Sequence, residues 1–287
     1  MDWKEIIAIM ITNIDYENFF PDILALRNLS CGGQRSVFLG QHIKYGRVVL
    51  KICERMTNHA RILRELEIIK NNNFSSVPKL YETNSRNIDG VSVLYSIEEY
   101  IDGENLRDIL NKQHFFSYHD VIDFMNKILQ TIVELEEKKI IHRDIKPENI
   151  VRDKIGNYWL LDFGIARDLN AFSLTATTDN FGPFTPGYAA PEQINNSKRQ
   201  LDSRADLFSI GMVAYEMLAG YNPIIKDSKG ILNVIQRTET VRLPDFERSD
   251  KVNPELLLFI ETLAKSSPVM RPPTAKIAYN WFKEITK

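Results

Sequence analysis

The chain has 287 residues, 44% of them hydrophobic, enough to bury a core in one large domain or two lobes, which excludes a disordered protein. Its 36 basic and 38 acidic residues are spread along the chain and leave a formal charge of -2, so no nucleic-acid partner and no membrane-surface partner is expected from bulk charge. The longest apolar run, Ile6 to Ile11, falls far short of the ~20 residues of a membrane span, Asp2 and Glu5 spoil a signal-peptide reading, and two cysteines, Cys31 and Cys53, are too few for a disulfide framework or a structural zinc site; a cytoplasmic protein is expected.

Residues 1–20 read as a short helix, with Ile6, Met10 and Ile14 at four-residue steps, leading into Pro21. Alternating stretches at 23–29, 36–40 and 46–52 predict antiparallel strands that turn near the glycines. A charged helical segment at 58–70 and apolar runs around 77–82 and 91–101 complete a strand-rich first part. From Leu106 the period changes: Val121, Met125, Ile128, Ile132 and Leu135 share one helical face, and helical patterns recur at 206–219, 254–265 and 274–284. The simplest account is an α+β chain, a small sheet lobe followed by a larger helical lobe, with the switch near Asp102 and Gly103.

Three stretches point to chemistry. "CGGQRSVF", 31–38, looks like a phosphate-cradling glycine loop with glycines missing and is a weak signal alone. "IIHRDIKPENI", 140–150, packs His, Arg, Asp, Lys and Asn into an isoleucine frame, which describes a loop buried at its ends and polar at its centre. "YWLLDFGIA", from Tyr158, reads as an apolar strand that delivers Asp162 at its end; Asn149 and Asp162 both carry oxygen donors, which a divalent cation prefers.

His142-Arg143-Asp144, Lys146 and Asn149, then Asp162-Phe163-Gly164, then Ala190-Pro191-Glu192, taken in this order, resemble the eukaryotic-type (Hanks-type) Ser/Thr protein kinase family over about residues 24–284, and "PGYAAPEQ" is more similar to bacterial members. The resemblance implies a bilobal kinase fold, with an N-terminal extension at 1–22, a small antiparallel-sheet N-lobe at 23–101 and a mainly helical C-lobe at 102–287. It implies Asp144 as the base that takes the proton of a substrate hydroxyl, Lys146 as the cation that steadies the transferring phosphoryl group, and Thr185 in "FTPGYAAPE" as the hydroxyl that contacts both. Asn149 and Asp162 are then similar to the ligands of Mg²⁺, with Mn²⁺ as the substitute, and Lys51 in "VVLK" to the lysine on the α- and β-phosphates of ATP.

The family's ion-pair partner of that lysine is a helix glutamate. In "RILRELEII" Glu65 fits best, while Glu67, two positions on and about 200° around the helix, faces away. Ser30 and Arg35 stand where the outer loop glycines belong, whereas Gly32 keeps the middle position, where a Cβ would intrude on phosphate; Gly33 is an extra glycine and Val37 matches the apolar position. Arg35 is either a guanidinium near the phosphates or a solvated surface group. "YSIEEYIDGENL" resembles the hinge, with Glu99 and Ile101 offering backbone groups to adenine. Glu98 then takes a position that is usually apolar, and as a buried carboxylate it needs a partner.

Further implied roles are structural or regulatory: Glu192 with Arg271 as a buried ion pair, Asp206 as the helix carboxylate that holds the catalytic loop, Arg143 as a grip for an activation-loop phosphate, and autophosphorylation among Ser173, Thr175, Thr177 and Thr178. His42, His59, His114 and His119 fit no metal spacing and read as surface or loop groups, and Cys31 is either a redox-sensitive thiol beside phosphate-binding backbone or, the ordinary reading, a small buried or neutral thiol. The expected function is an ATP-dependent kinase of protein substrates. A kinase-fold small-molecule phosphotransferase is disfavoured by the Ala-Pro-Glu segment and Lys146, and a pseudokinase scaffold draws only on Ser30, Arg35 and Glu98. The sequence carries no signal of oligomeric state.

Overall fold

The computed structural model describes residues 16–32, 35–53, 59–88, 90–113, 116–162, 184–195, 201–245 and 252–287. They form two compact units: one runs to Asn73 and adds Pro78–Tyr100, the other comprises Phe74–Val77 and Ile101–Lys287. Strands dominate the first and helices the second, an α+β architecture as expected.

The first unit is built on a five-stranded antiparallel sheet in the order β1-β2-β3-β5-β4, with β1 Ile23–Gly32, β2 Arg35–His42, β3 Gly46–Cys53, β4 Leu80–Ile88 and β5 Val91–Glu99. Two helices accompany it, α1 Tyr16–Phe19 and α2 His59–Lys70. Successive side chains of a strand point to opposite faces. Val48, Leu50 and Ile52 of β3, with Tyr95 and Ile97 opposite them on β5, therefore make one apolar face, and Val49, Lys51, Ser96 and Glu98 stand on the other.

The segment that precedes the sheet covers the apolar face. Tyr16 and Phe20 are buried in the same cluster as Phe38, Leu50 and Ile97; Tyr16 lies 5.0 Å from the Phe38 ring and Phe20 5.0 Å from the Tyr95 ring, edge-on. Arg86 stacks over Phe20 at 4.7 Å and over Tyr95 at 5.2 Å, and donates to the Phe19 carbonyl. Ala25, in the left-handed region at φ 53°, marks a bulge in β1, and Glu17 Oε1 accepts the Leu26 N–H beside it at 2.9 Å. The helix expected over 1–20 falls largely outside the described residues; its last turn belongs to the packed unit.

His42 corrects the sequence expectation. It is buried at the end of β2, with its Nδ1 accepting the Lys44 N–H at 3.0 Å and its ring 4.5 Å from that of Tyr45. The imidazole supplies an acceptor to the β2–β3 turn, which Gly46 closes at φ 76°. His119 is exposed as expected, and the side chains of His59 and His114 lie outside the described residues.

The second unit contains α3 Leu106–Gln113, α4 Tyr118–Glu137, α5 Pro191–Ile194, α6 Ser203–Ala219, α7 Ile231–Glu239, α8 Pro254–Leu263 and α9 Ala275–Ile285. A three-stranded sheet joins them, in the order β6-β7-β8, with β6 Gly103–Asn105, β7 Ile150–Asp153 and β8 Tyr158–Leu160. Helix α4 starts at a capping box, where Ser117 Oγ accepts the Asp120 N–H at 3.1 Å, and it buries the predicted face Val121, Met125, Ile128, Ile132 and Leu135. Helix α6 is apolar all round and buried almost throughout, which makes it the axis of the unit. A Cβ on Gly211 of α6 would stand 2.9 Å from the Leu263 Cβ, so glycine is what lets α6 and α8 pack this closely.

Glu192 and Arg271 form the expected buried pair, at 2.6 Å with side chains 8% and 0% exposed. The guanidinium also donates to the carbonyls of Lys265, Arg204 and Ser266, so no donor is left to bear its desolvation alone.

Because Phe20 closes a sheet face on which Leu50 and Ile52 are fully buried, Phe20→Ala will destabilise the first unit by about 3 kcal/mol. Leu24→Ala, at an exposed position of β1, will change stability by less than about 0.5 kcal/mol. Urea unfolding of the two variants against wild type checks the difference.

Candidate active site

The polar loop starts where α4 ends. Lys139, at φ 58°, turns the chain, and the apolar frame read from the sequence anchors the loop, Ile145 and Ile150 being buried. Just before Ile145, Arg143 sits in the left-handed region at φ 67°. That conformation presents two successive N–H groups on one side, and one carboxylate meets both: Asp206 on α6 accepts from His142 N–H and from Arg143 N–H, each at 2.8 Å. Burial pushes the Asp206 carboxyl up to about 6, against the two amide donors that hold it down.

His142 is fully buried and carries the order onward. Its Nδ1 accepts the Asp144 N–H at 3.3 Å, so the ring is neutral with its hydrogen on Nε2, which donates to the Leu161 carbonyl at 3.0 Å. The Leu161 N–H in turn bonds the Asn149 carbonyl at 2.8 Å. The residue after β8 is thus tied on both sides to the loop, and Asp162 follows it at φ 56°. The sequence reading gave His142 no role of its own; a histidine inside an isoleucine-framed loop was the available signal. It also missed Gln193, whose Nε2 donates to the Arg143 carbonyl at 2.8 Å.

Four of the expected residues meet in one hydrogen-bonded cluster. Thr185 Oγ1 donates to Asp144 Oδ1 at 2.9 Å and accepts from Lys146 Nζ at 3.4 Å, and Lys146 Nζ stands 3.2 Å from Asp144 Oδ2. Asn149 Nδ2 donates to Asp144 Oδ2 at 3.0 Å and to the Asp144 carbonyl at 2.9 Å. Thr185 is itself held by a turn in which the Tyr188 and Ala189 N–H groups bond its carbonyl. Gly187 permits that turn at φ 84°, where a Cβ would meet Ile225 at 2.5 Å.

Tyr188 anchors the turn to the core. Its carbonyl accepts from Ser209 Oγ at 2.8 Å, and its hydroxyl donates to Glu216 while accepting from Arg107. Burial, with the Glu216 charge added, keeps this phenol neutral by pushing its pKa well above the usual value.

In the first unit, Lys51 on β3 stands opposite Val37 on β2 and Ser96 on β5. Its ammonium pairs with the Glu98 carboxylate, whose other oxygen accepts from Ser96 Oγ at 2.8 Å. Glu98 therefore has the partner that its burial demanded, and the partner is the lysine whose counter-charge was sought on α2. Glu65 lies on α2, but its side chain is outside the described residues, as are Gly33, Phe163, Gly164, the hydroxyls at 173–178 and the side chains of Cys31 and Arg35. Gly32 ends β1 opposite Arg35. Glu99 ends β5, where its N–H bonds the Lys79 carbonyl at 2.8 Å, and Ile101 opens the second unit.

Among the described residues no three His, Cys, Asp or Glu side chains gather as a metal cage. The chemistry of Asn149 and Asp162 nevertheless suits a hard cation. Asn149 spends its amide N–H groups on Asp144, which turns its carbonyl oxygen away as an acceptor, and two protein oxygens fit Mg²⁺, which keeps water and phosphate oxygens in its shell.

Comparison with known proteins gives the family. Residues 26–282 match the protein kinase domain family, and the chain belongs to it. Bacterial serine/threonine-protein kinases are among its curated relatives. It is 30% identical to the serine/threonine-protein kinase PknB of Mycobacterium leprae over 86% of this chain and 40% of that protein, and 30% identical to PknB of Mycolicibacterium smegmatis over 83% and 39%. A probable serine/threonine-protein kinase of Streptomyces coelicolor is 31% identical over 70% of this chain and 30% of its own length. The chain thus spans 30–40% of the length of these relatives. Among the described residues no helix is long and apolar enough to cross a membrane.

Asp206 holds its proton more tightly in the folded chain, at about 6 against an ordinary 3.8, so its contribution to stability is complete below pH ~4 and is lost as pH rises through 6. Asp206→Asn carries a constant cost for the acceptor it removes but lacks this slope. Urea unfolding from pH 4 to 7.5 will show the variant gaining on wild type by an amount on the order of 3 kcal/mol between pH 4 and 6.5, then running parallel; a gap that does not change with pH would contradict the assignment.

Proposed function

We propose that the chain is the catalytic domain of an ATP-dependent protein serine/threonine kinase, which transfers the γ-phosphoryl group to a Ser or Thr hydroxyl of a protein. The observation that carries this reading is the Asp144 carboxylate, which takes a hydroxyl donor, Thr185 Oγ1, at 2.9 Å while Lys146 and Asn149 meet its other oxygen. A carboxylate so placed serves as acceptor for the proton of an incoming hydroxyl, whose oxygen attacks phosphorus as the ADP oxygen departs.

The other groups act by position and charge. Lys146 offsets the charge that builds on the transferring group, and Thr185 fixes the rotamer of Asp144 and the reach of Lys146. Lys51 offsets charge on the remaining phosphates, Gly32 and Gly33 with Val37 form the nucleotide cover, Glu65 supports Lys51, and backbone groups of Glu99 and Ile101 meet the base. Asn149 and Asp162 would hold Mg²⁺, or Mn²⁺ in its place, which when bound neutralises phosphate charge. The acceptors within the same chain are the hydroxyls at 173–178, whose phosphate Arg143 would grip.

Incubation with labelled ATP, Mg²⁺ and a generic protein acceptor tests the reading. Wild type will transfer label, and Asp144→Ala will be slower by at least about 10²-fold. Equal label from both would reject Asp144 as the base, and no label from wild type would reject the activity.

A further inference from the structure

We infer that Glu98 is a positioning residue for Lys51: the sheet itself, through a carboxylate on the neighbouring strand, sets where the ammonium stands. The inference rests on the reading above in that Lys51 is taken to act on the nucleotide. Lys51 and Glu98 have side chains 10% and 18% exposed, so neither charge is stabilised mainly by water. The β3–β5 register places Lys51 opposite Ser96 and Val49 opposite Glu98, so the pair lies on one diagonal of one face. On the opposite face Leu50 meets Ile97 and Ile52 meets Tyr95, all buried, and this locks the two strands against slippage.

Ser96 Oγ holds the second carboxylate oxygen, which leaves the first aimed at Lys51. A carboxylate carried on a separate helix can swing away with that helix. One carried on the adjacent strand of a packed sheet keeps its distance whatever α2 does. An ammonium has three N–H donors, so it can keep one on Glu98 and direct others to phosphate oxygens. Glu98 therefore acts through Lys51 and need not touch the nucleotide.

The test uses the whole chain and the variants Glu98→Gln, which keeps the shape, and Glu98→Met, each alone and with Lys51→Met. Steady-state transfer to a protein acceptor is measured at varied Mg-ATP, with urea unfolding midpoints taken without nucleotide to confirm folding. The expected result is a fall in kcat of tenfold or more for both Glu98 variants, an unchanged KM for the protein acceptor, and less than a twofold further change when either is added to Lys51→Met. Folded Glu98 variants with kcat within twofold of wild type would overturn the inference while leaving the kinase reading intact. So would a tenfold loss that persists in the Lys51→Met background, since Glu98 would then act on something else. A wild type that transfers no label would instead bring down the kinase reading, and this inference with it.

Discussion

One buried carboxylate sets the register of the polar groups in the second unit. Asp206 is fixed because α6, its helix, is enclosed on every side, and its two oxygens meet the N–H groups of His142 and Arg143 at 2.8 Å. Without that acceptor two amide donors would be buried unsatisfied, each at a cost of about 1–3 kcal/mol, and the left-handed turn at Arg143 would be held only from its carbonyl side, by Gln193. From there the order passes through the His142 ring to Leu161 and back to Asn149, so that Asp144, Asn149 and Asp162 take their places from backbone bonds. Short polar side chains on a loop are ordinarily adaptable; here their backbone is spoken for, and what remains to adjust is little more than a rotamer.

Most of the hydrogen-bonded cluster in the second unit was legible from the sequence because those contacts are local. Asp144, Lys146 and Asn149 lie within one short loop, and the periodicity of α4 announced the core behind it. Thr185 was reachable only through the family resemblance, since its bond to Asp144 spans 41 residues. The Lys51–Glu98 pair was not legible, because it depends on strand order: β5 lies between β3 and β4, and no pattern within a strand says which neighbour it takes. Glu98 could be recognised as a carboxylate in need of a partner, but the partner lies 47 residues away. Of the small sheet only β8 was read, from the apolar run at Tyr158; β6 has 3 residues, and alternation needs more than that to show.

The segment before β1 shows the same division. Alternation along β3 says that one face is apolar, but it does not say what covers it. The cover consists of Tyr16 and Phe20, held by Arg86 from β4, and part of it lies ahead of the residues that match the family. His42 escaped because its surroundings come from a turn: the same residue type on an open hairpin would be solvated, and here it accepts a turn N–H and stacks on Tyr45.

The two faces of that sheet are physically linked. An ion pair with both members shielded from water gains little net stability over an apolar pair of the same size, so the worth of Lys51 with Glu98 lies in where it holds charge. To hold charge at a fixed point, the strands beneath must not slide, and a one-residue slip of β5 against β3 would carry Glu98 to the far face, against Leu50 and Ile52, and turn Ile97 out of it. The apolar cover makes that slip costly, since it would also expose what Tyr16 and Phe20 now close. Packing on one face of the sheet thereby fixes the electrostatics on the other.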